Sequence, residues 1–146
     1  AVSNNSPATL AKSDTAIRQW LATKRLNFPE LVVENGSGLS RKERISARHM
    51  GQLLLAAFKS PVMPEFISSL PIAAVDGTLK NRFADTPVKG LAHMKTGALN
   101  DVRALAGYLL DKTGRRVIVV FFVNHDQAGQ SRVAMDMLVQ WVYNRQ

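Results

Sequence analysis

The sequence predicts an α+β domain in which helices come first, an antiparallel meander of strands follows, and a helix closes the chain. Three observations predict it. Apolar residues recur at helical spacing after Ser13, after Ser46 and after Ala128. The last third carries three strand-length runs separated by turn residues. And 146 residues with 46% apolar content suffice for a single domain with a real core.

The elements follow in order. Ala1 to Lys12 is polar and irregular. Ser13 is the expected N-cap of a first helix, with Asp14 in its first turn and Ile17, Trp20, Leu21 and Lys24 at helical spacing. Pro29 ends that region, and "ELVVENGSGLS" reads as a strand from Leu31 to Val33 entering a turn at Gly36 and Gly38. A second helix starts at Ser46 with the stripe Met50, Leu53, Leu54, Ala57 and Phe58. "PEFISSLP" predicts a short helix from Glu65 to Ser69, and "AAVDGTLKNRF" a turn at Asp76-Gly77 followed by a helical piece. Strands are expected at "GLAHMKTGAL", at "VRALAGYLL" (102–110) and at "RRVIVVFFVNH" (115–125). Val117 to Val123 is apolar on both faces, as in a central strand, yet three strands are few, so the strand at 91–98 or that at 116–124 should be an edge in want of a partner. Val133, Ala134, Met137, Leu138, Trp141 and Val142 form the stripe of the closing helix, and both tryptophans are assigned to core.

Composition narrows the function classes. With no cysteine there can be no disulfide, thiol nucleophile or Cys-based zinc site. His49, His93 and His125 lack metal-ligand spacing, so no metal and no cofactor is expected. No run is long and apolar enough to span a membrane, and the start lacks a signal-peptide pattern. The formal charge of +8 suits anionic partners, including cell-wall polymers. A nucleic-acid reading rests on charge alone and is not carried further. The one basic cluster, "SRKERISARH" (40–49), reads first as a solvated helix start.

The tripeptide Lys-Thr-Gly occurs twice, at Lys95-Thr96-Gly97 and at Lys112-Thr113-Gly114. A Lys and a hydroxyl on adjacent strand positions can hold a carboxylate, and a strand glycine lets a ligand backbone lie close. The second copy falls between two strand runs, where Asp, Lys, Thr and Gly make a hairpin loop. In isolation the bland reading suits both copies, and the flanks decide between them.

Lys-Thr-Gly belongs to a signature set with Ser-x-x-Lys and Ser-x-Asn in penicillin-binding proteins and serine β-lactamases. "SNN" at Ser3-Asn4-Asn5 fits the Ser-x-Asn element. "ENGSGLSRKERIS" (34–46) resembles the "DGSGLSR…RVS" turn of the D-alanyl-D-alanine carboxypeptidase/endopeptidase family, the class C low-molecular-mass penicillin-binding proteins. "LPIAAVDGTLKNRF" (70–83) resembles that family's "LPVAGVDGTLKRRF", and "HMKTGALNDVRALAGYL" (93–109) its "AKTGTLDGVSALAGYV", in matching order from about Ser13 onward.

The resemblance implies a partial penicillin-binding/serine β-lactamase-like fold. Residues 1–146 would be the C-terminal portion of one D,D-peptidase domain, with a stretch missing after Asn5. It implies a periplasmic or otherwise extracytoplasmic serine acyl-transfer enzyme that cuts D-alanyl-D-alanine ends or cross-links of peptidoglycan and is acylated by β-lactams. Ser3 would assist proton transfer and Asn5 would bond the substrate amide. Lys95 and Thr96 would bind the terminal carboxylate beside Gly97, and the Ala98 N–H would supply half of the oxyanion hole. The implied partners are the peptidoglycan peptide, β-lactams and the missing N-terminal half of the domain, which would hold the first strands of the sheet.

The chain also departs from the pattern. No Ser has Lys three residues later, so the nucleophile is absent and the chain alone is expected to be inactive. "TLAK" (9–12) has the spacing with the wrong nucleophile. Glu34 stands where the family usually has Asp, and Ala98 where it has Ser or Thr. "GSGLS" does not match a nucleophile elbow, and Asp76 reads as a turn former. The alternative is a truncated, non-catalytic domain that binds peptidoglycan or another polyanion.

Overall fold

Thr9 rather than Ser13 opens the first helix in the computed structural model, which describes Pro7 and residues 9–145. Helix α1 spans Leu10–Thr23. Thr9 has extended backbone, and its hydroxyl accepts the Lys12 N–H at 3.2 Å, satisfying one donor that a helix start leaves bare. With the helix nucleated there, Ser13 already donates its N–H to the Thr9 carbonyl, and Asp14 pairs with Arg18 one turn on at 2.9 Å.

The chain divides into two compact units, the first ending at Leu53 and the second starting at Leu54. In the first, Leu21 and Phe28 are buried. Trp20 is not core as expected. Half of it is exposed, with the Lys24 ammonium 5.9 Å from its ring centre. The strand expected at Leu31–Val33 shrinks to a single bridge between Val32 and Arg44, closed by hydrogen bonds of 3.0 and 3.1 Å. Gly36 and Gly38 turn the chain between them.

Helix α2 (Ala47–Phe58) starts where Ser46 predicts, because the Ser46 hydroxyl accepts the His49 N–H at 3.2 Å. Glu30 locks this start. Its carboxylate accepts the Ser46 N–H at 2.9 Å and meets His49 Nδ1 at 2.6 Å, and His49 stacks on Phe28 at 4.8 Å. These bonds, the Ser46 amide foremost, hold the Glu30 carboxyl down at about 2 against an ordinary 4.5. A depressed folded-state value stabilises fully above the unfolded one, and the gain is lost as pH falls from about 4.5 through about 2. Glu30→Gln should therefore lower the urea midpoint at pH 7 and flatten its fall over that acid window. An unchanged acid limb would contradict the lock.

In the second unit, helix α3 covers Met63–Ser68. Strands β1 (Ala92–Leu99), β2 (Val102–Leu110) and β3 (Arg116–Asn124) form an antiparallel sheet in the order β1-β2-β3. A one-turn 3-10 helix (Ala128–Ser131) leads into helix α4 (Arg132–Asn144). Alternation assigns the two faces. On one, Ala92, Met94, Leu105, Leu109 and Val119 form a core with Met135, Val139 and Val142 of α4. On the other, fully buried Tyr108 donates its hydroxyl to the Leu54 carbonyl at 2.6 Å and packs on the rings of Phe58 and Phe66. Desolvation pushes its phenol pKa up.

Within the described residues β1 and β3 are the end strands of the sheet, and β3 is so despite its apolar run on both faces. One expectation is corrected here. Trp141 is not core: it is 61% exposed, and Met137 and Val133, one and two turns before it, are exposed as well. Helix α4 carries two apolar stripes where the sequence reads as one, and Met135, Val139 and Val142 are the buried one.

Candidate active site

Lys95, Thr96, Gly97 and Ala98 are consecutive on β1, and the segment before the strand decides which part of its edge is open. Pro71 to Ala73 lies along the outer edge of β1. Ile72 bridges His93, the Ala73 N–H donates to the Ala92 carbonyl at 2.9 Å, and the Met94 N–H to the Pro71 carbonyl at 2.9 Å. Asp76 then bends the chain away. Its Oδ1 accepts the Ile72 N–H at 2.7 Å and its carbonyl the Leu79 N–H at 3.2 Å. Asp76 is thus the turn former the sequence suggests.

The bend is rigid. Leu79 is fully buried and returns its carbonyl to the Ala74 N–H at 3.0 Å. Gly77 sits at φ +51 with the Pro71 ring 3.0 Å from where a Cβ would lie, so any side chain there is strained. Further on, Arg82 is buried in an ion pair with Asp136 of α4, its Nε 3.1 Å from Oδ1. The whole "VDGTLKNRF" stretch is therefore a clamp beside β1. Among the described residues, no backbone group pairs with the outer edge of β1 beyond Met94.

The direction of the open groups follows from strand geometry. Both peptide groups of a residue in an antiparallel strand point to the same side, alternating along the chain. Ala92 and Met94 point theirs outward to residues 71–73, so Thr96 and Ala98 do the same. The Ala98 N–H and the Thr96 carbonyl thus face the open edge. The Lys95 ammonium curls over that edge and donates to the Thr96 carbonyl at 2.7 Å. The Thr96 hydroxyl meets the Thr78 hydroxyl at 2.7 Å. At Gly97 a Cβ would press on Ala104 at 3.2 Å. A cation, a hydroxyl and an outward N–H on one strand edge can take an extended peptide that ends in a carboxylate.

Other residues fall differently. Ser3 and Asn5, and with them the stretch expected to be missing after Asn5, lie outside the described residues. His93 is on the Lys95 face of β1, and its Nδ1 is buried without a hydrogen-bond partner among the described residues. Thr78 was not singled out by the sequence, although it belongs to the "VDGTLK" motif that did carry signal.

The second Lys-Thr-Gly is a turn. Buried Asp111 accepts the Thr113 N–H and hydroxyl at 2.9 and 2.7 Å, the Arg115 N–H at 2.9 Å and Arg115 Nε at 3.1 Å. The Thr113 hydroxyl is the largest of the influences holding this carboxyl far below its ordinary value. Gly114 takes φ +80 to close the loop. Lys112 and Thr113 are bound into the hairpin between β2 and β3, not presented along an open edge.

Comparison with solved structures gives the class first. The chain superposes on penicillin binding protein 4 (dacB) of Haemophilus influenzae in complex with a β-lactam, with TM-score 0.81 and 28% identity, over 94% of this chain and 34% of that one. A second structure of that protein gives TM-score 0.79 at 26% identity. A predatory endopeptidase of Bdellovibrio bacteriovorus, acylated by penicillin G, shares the fold with TM-score 0.75 and 20% identity over 89% of this chain and 38% of that one. This is the penicillin-binding fold in part, with antiparallel strands between helices and a closing C-terminal helix.

The family follows from the sequence match. Residues 1–145 match the D-Ala-D-Ala carboxypeptidase 3 (S13) family, and the chain belongs to it. A carboxypeptidase of Mycobacterium tuberculosis is 31% identical over 94% of this chain and 31% of its own length. The D-alanyl-D-alanine carboxypeptidase DacB of Haemophilus influenzae is 30% identical over 94% of this chain and 30% of its own length. The chain thus spans about a third of the length of these relatives.

Proposed function

We propose that this chain is the C-terminal portion of a serine D,D-carboxypeptidase/endopeptidase that acts on peptidoglycan stem peptides outside the cytoplasm and is acylated by β-lactams. The observation that carries the reading is the open edge of β1, with Lys95, Thr96 and the outward Ala98 N–H beside a rigid clamp. The peptide would add as a strand along this edge. Lys95 and Thr96 would hold its terminal carboxylate, Gly97 would leave room for its backbone, and the Ala98 N–H would face the oxygen that becomes negative. Replacing Ser or Thr by Ala at position 98 removes a hydroxyl and keeps that N–H.

The nucleophile would come from an upstream part of the domain, and this chain would add Ser3 and Asn5. A Ser of a Ser-x-x-Lys motif would attack the penultimate D-alanine carbonyl, its proton passing to the Lys and, with help from Ser3, to the departing amine. The C–N bond breaks, D-alanine leaves, and water cleaves the ester formed on the Ser. Asn5 would hold the substrate amide. None of these steps calls for a metal or cofactor.

The same reading gives the bare surfaces an occupant. The upstream half of the domain would pair with the outer edge of β3, which ends the sheet among the described residues, and cover Val133, Met137 and Trp141 on α4.

The test is D-alanine release from a peptide ending in D-alanyl-D-alanine. A polypeptide that carries this chain and an upstream Ser-x-x-Lys should release it. A folded polypeptide of that kind that binds the peptide without cleaving it would favour the non-catalytic binding domain instead.

A further inference from the structure

We infer that Thr78 is a positioning residue for the Thr96 hydroxyl and thereby tunes recognition of the substrate's terminal carboxylate, an inference that rests on the function proposed above. The hydroxyls of Thr78 and Thr96 are 2.7 Å apart, and Thr78 makes no other side-chain hydrogen bond among the described residues. Thr78 is exposed and adds nothing to the core. Yet its position is fixed on both sides. Gly77 is pressed against Pro71, and Leu79 is sunk in the core between the Asp76 and Ala74 hydrogen bonds. The segment that leads into this turn is pinned to β1 through Ala73 at Ala92 and Pro71 at Met94, immediately before Lys95 and Thr96. So constrained a turn fixes the Thr78 backbone beside Thr96, and the Thr78 rotamer present brings its hydroxyl to the contact.

The chemistry gives the contact a direction. Each hydroxyl has one proton to donate and can also accept. A carboxylate only accepts. When one arrives beside Lys95, the Thr96 proton must point to it, and Thr96 is then free to accept from Thr78. The chain Thr78 to Thr96 to carboxylate polarises along its length, so the outer hydroxyl strengthens the inner one's bond to the ligand. Thr96 is also β-branched and has few side-chain rotamers, so a partner that favours one of them raises the fraction of time its oxygen faces the edge. Thr78 would touch no substrate atom, and its effect passes through Thr96.

The test uses the longer polypeptide that carries the nucleophile, with two peptides that differ only at the terminus, a free carboxylate or a carboxamide. In Thr78→Val, which keeps the shape and loses the hydroxyl, the preference for the carboxylate peptide should fall about 5- to 10-fold, the worth of one hydrogen bond. The loss should appear in KM, with kcat for the carboxylate peptide changing by less than about twofold. Thr78→Ser restores the hydroxyl and should restore the preference. An unchanged preference in Thr78→Val overturns the inference, as does an equal loss for both peptides or a failure of Thr78→Ser to rescue. If Lys95→Ala also leaves the preference unchanged, or the parent polypeptide cleaves neither peptide, the proposed function falls and this inference with it. If Lys95→Ala abolishes the preference while Thr78→Val does not, only the inference falls.

Discussion

Replacing Lys95 by Ala in the proposed longer enzyme should lower the rate of β-lactam acylation and of D-alanine release by about 100-fold, the usual cost of removing one charged or oxyanion-facing group from a site, while Lys112→Ala should leave both within about twofold. Both lysines are followed by Thr-Gly, so the contrast tests their placement rather than the tripeptide. Lys95 stands at the point where the segment of residues 71–73 leaves the edge of β1, and its ammonium bonds a carbonyl on that edge. A carboxylate entering there would meet a cation already in position. Lys112 is an exposed residue of a hairpin whose shape Asp111 sets through the Thr113 and Arg115 hydrogen bonds. Equal effects of the two substitutions, measured as acylation rates with a chromogenic β-lactam, would refute the assignment.

Gly107→Ala costs about 3 kcal/mol or more, the range of severe overpacking. A Cβ at position 107 would lie 2.2 Å from the His93 carbonyl oxygen and 2.7 Å from the Met94 Cα. Both are backbone atoms of the neighbouring strand, so no side chain can yield. β1 must move off β2, and Lys95 moves with it, because Gly107 pairs with Met94 in the register. The same substitution at Gly51 should go the other way. Gly51 lies in α2 with nothing within 4 Å of its Cβ position, and alanine there gains roughly 0.5–1 kcal/mol of helix propensity. Urea midpoints of the two variants read this directly. A Gly107→Ala protein as stable as the parent would mean that the β1–β2 spacing is not as described.

Where the sequence spoke plainly, local chemistry was sufficient. Asp111, Thr113 and Gly114 make a hairpin turn from side-chain acceptors and a left-handed φ, all contained within five residues. Ser46 caps α2 for the same reason. Helix α1 shows the limit of this logic. Thr9 and Ser13 are both sound caps, one turn apart, and only the folded chain shows that the earlier one is used. Strand β3 and the α4 residue Trp141 mark a second limit. Apolar periodicity reports that a face is to be buried, not where the burying atoms come from. Val117 to Val123 and the Val133, Met137 and Trp141 stripe are apolar enough for an interior, yet among the described residues the former ends the sheet and the latter is bare. The candidate site was legible as a strip, Lys95 to Ala98, because its motif is contiguous. Thr78 reaches Thr96 across 18 positions, and nothing in the spacing of the two threonines announces that contact.

The central claim is that this chain presents the carboxylate-binding edge of a penicillin-binding site without its nucleophile. Intact-mass measurement after incubation with benzylpenicillin tests it most directly. The 146-residue chain should keep its mass, and a polypeptide that adds the upstream Ser-x-x-Lys should gain one penicilloyl group per molecule. A stoichiometric adduct on the 146-residue chain itself, or none on the longer polypeptide, would contradict the account.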